Sequence, residues 1–238
     1  METAPLSAQQ AVGKLPSLRE PQLLKSRDGL VWLLWLEQRP QERGRTTALL
    51  RPFGATGTRP LELTPAPINL RSRVHDYGGG VLTAALDGQR LSLAWVEAGC
   101  LWFQEWQLPI RGEHNTPAHA LGPVRQLSCQ GAWDLADGRL DIKHQRWIGI
   151  REIDATDQLV TVPLHSTNQE PQRLHQPSDF AGYASLRPDG QQLAWVEWQQ
   201  PAMPWDSSQL WIAELRADGS LHNQRCIAGG DGISVFQP

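Results

Sequence analysis
Cysteine is scarce in this sequence. Three occur in 238 residues, Cys100, Cys129 and Cys226, far apart and odd in number. No C-x-x-C pair exists, so neither a zinc ribbon nor a disulfide framework is supported, and reduced thiols of a cytoplasmic protein are the expectation. Long apolar runs are missing as well. The longest, LVWLLWL from Leu30 to Leu36, falls short of the roughly 20 residues that a helix needs to span a bilayer. It suits a strand buried on both faces. The N-terminal stretch METAPLSAQQ is polar and lacks the apolar core of a secretory leader. No membrane contact is expected. Positive charge is not in excess either: the net charge is -3. A nucleic-acid partner, which calls for a basic face, is therefore not expected.

Phe and Tyr are few, 4 and 2, against 11 Trp, while Gly (21) and Pro (18) punctuate the whole chain. Such frequent breakers leave little room for long helices and suit many short strands joined by turns. The strands repeat. DGQRLSLAWVEAGCLWFQEW begins at Asp87, and DGQQLAWVEWQQPAMPWDSSQLWIAEL begins at Asp189. Both open on Asp-Gly-Gln and lead into Leu-Ala-Trp-Val-Glu or nearly so. Each follows with Leu-Trp, at Leu101-Trp102 and Leu210-Trp211. Looser copies begin at Asp28 (DGLVWLLWLEQ) and Asp137 (DGRLDIKHQRWIGIRE). A recurrence of roughly 50 to 60 residues with about four strands per copy points to the blades of a β-propeller. The Asp-Gly steps supply tight turns. A sandwich also has turn-strand units, but it does not explain the shared Ala-Trp-Val-Glu word. The fold expected is all-β: a partial propeller of about four blades, each of mainly four antiparallel strands. Residues 1–20 are expected to be a flexible segment and 21–238 the incomplete propeller domain.

Two stretches then carry a family resemblance. LTPAPINLRSRVHDYGGG, Leu63 to Gly80, resembles the N-terminal propeller of the prolyl oligopeptidase family, above all its acylaminoacyl-peptidase and dipeptidyl-aminopeptidase-like branch. That branch carries Arg-x-Arg-x-His-Glu-Tyr-Gly-Gly-Gly; here Asp76 stands in place of Glu. SLRPDGQQLAWVEWQQPAMPWDSSQLWIAEL, Ser185 to Leu215, resembles a blade of the same family, including its Met-Pro-Trp-Asp word. The segment AGGDGISVFQP leads, in the family, into a further Trp-Ser-Pro-Asp-Gly blade opening. The resemblance implies a propeller that admits short peptides to an α/β-hydrolase domain holding a Ser-His-Asp triad. That domain and the remaining blades would then be partners, in the same or a separate chain, and this stretch by itself would be inactive.

Catalytic signals in the 238 residues are wanting. No G-x-S-x-G elbow occurs; the nearest, Gly232 to Phe236, lacks the closing glycine. His114 and His119 are five apart, with Pro117 between them, unlike a zincin pair. Gly78, Gly79 and Gly80 are followed by Val81 rather than the Lys of a P-loop. Glu62, Asp76, Asp134, Asp141 and Asp154 form no carboxylate couple of defined spacing. No cofactor and no metal are expected. The glycine run is expected to let the chain approach the propeller axis closely. Arg71, Arg73 and Asp76 could hold adjacent blades, and Tyr77 could pack at a blade edge. Alternatively, Arg71, Arg73 or His75 faces the central cavity and meets the charged end of a peptide, since an arginine fork suits a carboxylate. Trp205 and Asp206 are expected in a turn between strands, and Trp133, Trp147, Trp195, Trp198, Trp205 and Trp211 in the core. The alternative function is a stand-alone protein- or peptide-binding propeller module.

Overall fold
The computed structural model describes Ser7 and residues 15–55, 57–76, 78–110, 117–129, 131, 133–165 and 167–238. The chain divides into two compact units, Met1–Leu70 and Arg71–Pro238. Both are built from strands. Among the described residues the helical elements are two single 3-10 turns, Pro40–Glu42 and Val74–Asp76, and no helix is long and apolar enough to cross a membrane.

The first unit is one antiparallel sheet in the order β1 (Ser17–Lys25), β2 (Val31–Arg39), β3 (Arg45–Pro52), β4 (Leu61–Glu62). β1 takes in residues that the sequence reading leaves in the flexible segment. Asp28-Gly29 makes the first turn, with Gly29 at φ 82° and the Asp28 carboxylate accepting the Leu30 N–H at 3.2 Å. In β2, Trp32, Leu34 and Leu36 are buried, whereas Leu33 and Trp35 are only half-buried. The expectation of burial on both faces therefore fails for this run. Leu18, Leu33, Trp35 and Arg51 line a cavity of about 420 Å³ on the open face. Arg45 closes the unit: its guanidinium donates to Glu62 at 2.6 Å and to the carbonyls of Thr64 and Ile68, each at 3.0 Å.

The second unit holds three sheets. The first is β5 (Leu82–Asp87), β6 (Arg90–Glu97), β7 (Cys100–Gln107) and β8 (His119–Ala120), with β9 (Arg125–Ser128) also on β7. Next comes β10 (Asp134–Asp141), β11 (Arg146–Ile153), β12 (Thr156–Pro163), β13 (Gln172–His175). The last is β14 (Phe180–Leu186), β15 (Gln192–Trp198), β16 (Ser208–Leu215), β17 (Leu221–Gly230). The last two sheets are meanders in chain order, and the first departs from this only in that β9 returns to β7; the architecture is the all-β partial propeller expected from the repeats.

The sheets stack through their faces. Val96, Leu101, Phe103 and Leu127 of the first pack with Leu135, Trp147, Val160 and Val162 of the next. The opposite face of that middle sheet, Ile148, Ile150 and Leu159, packs with Ala181, Leu193, Trp195 and Ala213 of the last. β11 is consequently buried along six successive positions, and this is why it shows no alternation of apolar and polar residues. First strands of the three sheets lie together, with β10 contacting both β5 and β14. Up-and-down connectivity sorts the loops by end. The turns at Asp87-Gly88, Asp189-Gly190 and residues 142–145 share one end of the sheets. The segment before β5 and the β6–β7, β9–β10, β11–β12, β13–β14 and β15–β16 connections share the other.

Two expectations are corrected. Asp137-Gly138 is not a turn. Both residues lie within β10, where the register slips between Ala136 and Arg139. Asp137 takes φ 53° in this bulge, and its carboxylate accepts the Gly80 N–H at 2.7 Å. Asp tolerates the left-handed region in a bulge as well as in a turn, so the dipeptide alone does not distinguish them. The cysteines are not all free either: Cys100 and Cys129 form a disulfide, while Cys226 is free and exposed. Pairing of β9 with β7 sets Leu101 opposite Ser128, which brings together two thiols 29 residues apart.

Candidate functional site
The lead-in to β5 lies with the β11–β12 and β13–β14 connections at one end of the second unit, its loop-bearing end. Arg71 anchors its start, its N–H donating to the carbonyl of Val96 at 3.0 Å. Ser72 and Val74 are buried, and Arg71 and Arg73 are exposed. The chain then turns sharply. His75 and Asp76 both enter the left-handed region, at φ 53° and 68°, a conformation that costs a residue with a Cβ roughly 1–2 kcal/mol. Local bonds hold it there: Asp76 N–H to Arg73 O at 2.7 Å and Gly78 N–H to Val74 O at 2.8 Å.

The larger compensation comes from the middle sheet. The His75 N–H donates to Glu152 Oε2 at 2.5 Å. Its ring lies between two carboxylates, with Nδ1 3.5 Å from Glu152 Oε1 and Nε2 3.0 Å from Asp157 Oδ1. The imidazole packs at right angles to the Phe180 ring, with centroids 4.9 Å apart, and Phe180 stacks on Trp198, with centroids 5.6 Å apart. One imidazole therefore joins the approach to the first sheet of this unit to β11, β12 and β14. Asp157 is the hub. Its side chain is 1% exposed, and its second oxygen accepts the Ala181 N–H at 2.9 Å. Burial raises its pKa to about 6, against the pull of the Ala181 N–H and the imidazole, with help from the nearby Glu152 charge.

Further carboxylates surround this hub. Asp134 accepts a backbone hydrogen bond from Arg73; burial raises its pKa, and the charges of Glu152 and Asp76 add to the rise while Arg73 opposes it. Asp137 is raised by burial, opposed by the Gly80 N–H and Arg139. Asp179 accepts the Gln200 N–H at 2.8 Å. This end of the unit is acidic, and Arg71 and Arg73 are exposed cations beside it.

The glycines have a packing reason. A Cβ on Gly79 would lie 2.7 Å from Ala136 Cβ, and one on Gly80 would lie 2.8 Å from Asp137 Oδ1. Gly78 has φ 88°, and a Cβ there would sit 2.9 Å from the carbonyl oxygen of Ser72. Side chains at positions 79 and 80 would push the lead-in off β10, and one at position 78 would strain its turn. Tyr77 lies outside the described residues, as does His114. Asp206 makes the expected turn, its Oδ2 accepting the Met203 N–H at 3.2 Å and its N–H donating to Met203 O at 2.8 Å. Trp205, on the same turn, is 62% exposed rather than in the core, unlike Trp147 and Trp195, which are buried.

The geometry does not assemble a hydrolytic triad around His75. Such a triad needs a hydroxyl against one imidazole nitrogen and a carboxylate against the other, whereas both nitrogens of His75 face carboxylates. Ser234 Oγ bonds to the carbonyl of Pro204 at 3.0 Å. Among the described residues no group of three or more His, Cys, Asp or Glu side chains is arranged to hold a metal ion. Two other carboxylates singled out in the sequence are engaged elsewhere: Glu62 with Arg39 and Arg45, and Asp141 with Arg146 and His144. Glu152, Asp157 and Phe180 went unremarked in the sequence because they stand roughly 75 to 105 residues beyond His75, and only sheet stacking brings them together.

No protein-family profile matches the chain, and no curated protein matches it in sequence. Solved structures do. A puromycin-hydrolyzing peptidase of Mycobacterium tuberculosis superposes over 97% of this chain at 25% identity and a TM-score of 0.75. A puromycin hydrolase mutant complexed with PGG covers 90% of the chain at 24% identity and a TM-score of 0.70. TolB from Acinetobacter baumannii, at 13% identity and a TM-score of 0.53, shares the fold over 89% of the chain. The chain spans only about a third of the two peptidases, 34% and 33% of their lengths.

Proposed function
From this likeness to an N-terminal propeller portion of prolyl-oligopeptidase-family peptidases, we propose that the chain admits short peptides to a serine-hydrolase domain that lies outside these 238 residues. The observation that carries the reading is the superposition over 97% of the chain on about a third of a puromycin-hydrolyzing peptidase. The two sequence words at Leu63–Gly80 and Ser185–Leu215 support it independently.

In this reading the loop-bearing end faces the hydrolase, and peptides pass it. Arg71 and Arg73, both exposed, meet the peptide carboxylate through their guanidinium forks. His75 is a positioning residue: held by Glu152 and Asp157, it fixes the lead-in that carries both arginines. Bond cleavage belongs to the hydrolase, where a serine attacks the carbonyl and a histidine moves the proton. The 238-residue chain alone is expected to cleave no aminoacyl or dipeptidyl substrate.

The test is to sequence the coding DNA beyond the Pro238 codon. A Trp-Ser-Pro-Asp-Gly blade opening followed by a G-x-S-x-G elbow, in any frame, is the expected result. If neither follows, and no separate gene supplies them, the peptidase role fails and the chain is to be assayed as a peptide-binding module.

A further inference from the structure
The end of the second unit opposite His75 has the reverse chemistry. A cavity of about 820 Å³ opens there among the first strands of all three sheets. Four of its lining residues are cations: Arg90, Arg139, Lys143 and Arg187. Arg139 stands on β10 just past the bulge, and its Nη1 bonds to the carbonyl of Gly138 at 2.9 Å. Lys143 Nζ donates to the carbonyl of Asp189 at 3.2 Å. Among the described residues, neither of these two makes a close ion pair with a carboxylate. The other two are partly matched, Arg187 by Asp189 at 2.8 Å and Arg90 by Glu105 at 3.7 Å.

Three carboxylates also line the cavity: Asp87, Glu105 and Asp141. Asp141 is already neutralised, its Oδ2 accepting from Arg146 Nε at 2.9 Å and His144 Nδ1 at 2.8 Å. With Asp141 matched from outside the lining, the four cations outnumber the two remaining lining carboxylates, Asp87 and Glu105, and the cavity carries a surplus of positive charge. Between the charges the wall is aliphatic, with Leu140, Ile142 and Leu186. The volume falls in the range of roughly 300–1,000 Å³ typical of organic-ligand sites. It far exceeds what a phosphate ion fills, and aliphatic walls suit a carbon skeleton.

We propose that this cavity binds short acidic peptides, with their carboxylates on Arg139 and Lys143. The inference does not rest on the peptidase reading. Binding here stands whether or not a hydrolase sequence follows Pro238.

Calorimetric titration of the 238-residue chain with triglutamate, triglutamine and tripolyphosphate at low salt tests it. Triglutamate is expected to bind at least about tenfold more tightly than triglutamine. Arg139→Gln and Lys143→Gln should each weaken triglutamate about three- to tenfold without moving the melting temperature, because both side chains are exposed. Should Arg139→Gln unfold the sheet, the solvent-facing Lys143→Gln decides alone. Equal affinity for triglutamate and triglutamine, or unchanged triglutamate binding in Lys143→Gln, overturns the proposal. Tighter binding of tripolyphosphate than of triglutamate overturns the peptide assignment in favour of a phosphate site.

Discussion
At the scale of single residues, Asp157 concentrates the energetics of the site. Its pKa rises from 3.8 to about 6 because burial penalises the charge. A carboxyl raised by folding favours the folded state while protonated. That contribution is complete below about pH 4 and disappears as the pH climbs through about 6. The stability of the native chain, measured by urea unfolding from pH 4 to 7, should therefore fall relative to Asp157→Asn by on the order of 2 kcal/mol. A difference independent of pH would show that Asp157 titrates like a free side chain. Gly79 offers a second test. Gly79→Ala pushes a methyl to within 2.7 Å of Ala136 Cβ and should cost about 1–3 kcal/mol as overpacking. Gly122→Ala, with open space around it, should stay within about 0.5 kcal/mol of the native protein. The sequence made the glycine run conspicuous, but Asp157 was unremarkable in it. A carboxyl becomes special through what buries it, and ThrAspGlnLeu in a strand says nothing of a histidine two sheets' worth of chain away.

At the scale of the element, the shared Leu-Ala-Trp-Val-Glu word made β6 legible as a strand whose apolar run is enclosed, and its residues 91–96 are all buried. The same reasoning failed for Leu30–Leu36 because periodicity reports what a strand can tolerate, not what covers it. Trp147 of β11 fills the space between the first two sheets of the second unit. Trp147→Ala should cost about 3–5 kcal/mol, read from the shift in chemical-denaturation midpoint. The disulfide is an element-scale feature of the first of those sheets. Cys100 and Cys129 close a loop across a separation of 29 residues. By the chain-entropy relation the cross-link should contribute about 3–4 kcal/mol, and a dithiol reductant should lower the denaturation midpoint accordingly. The pairing escaped the sequence reading because β8 and β9 share one neighbour, an arrangement that spacing alone does not encode.

At the scale of the whole molecule, the repeats revealed the architecture and left the chemistry of the two sheet ends hidden. Asp-Gly words marked three turns correctly, and Asp137-Gly138 mimicked a fourth. Charge summed over the chain, -3, gave no sign that carboxylates gather at one end of the second unit and cations at the other. Exposed apolar surface also belongs to this scale. Scattered apolar side chains are ordinary on a surface, but Leu18 lies 64% exposed beside Leu33 and Trp35 on the open sheet face of the first unit. Such a patch favours self-association. Sedimentation velocity should show association growing with concentration, strongest near the isoelectric point of about 6.2, where net repulsion vanishes. The double substitution Leu18→Lys and Leu33→Lys should suppress it; unchanged association would place the contact elsewhere.

The bulge in β10 makes one codon of that strand dispensable to its pairing. Asp137 and Gly138 together oppose a single partner position, since Ala136 pairs with Ile150 and Arg139 with Ile148. One residue of the strand is therefore supernumerary to the ladder. Loss of codon 137 forfeits the acceptor for Gly80, yet Asp134 to Ala136 and Arg139 to Asp141 can all keep their present partners. Loss of codon 135 instead carries Asp134 to the opposite face, away from Arg73. Of the in-frame deletions open to this strand, natural variation should tolerate the first far more readily than the second.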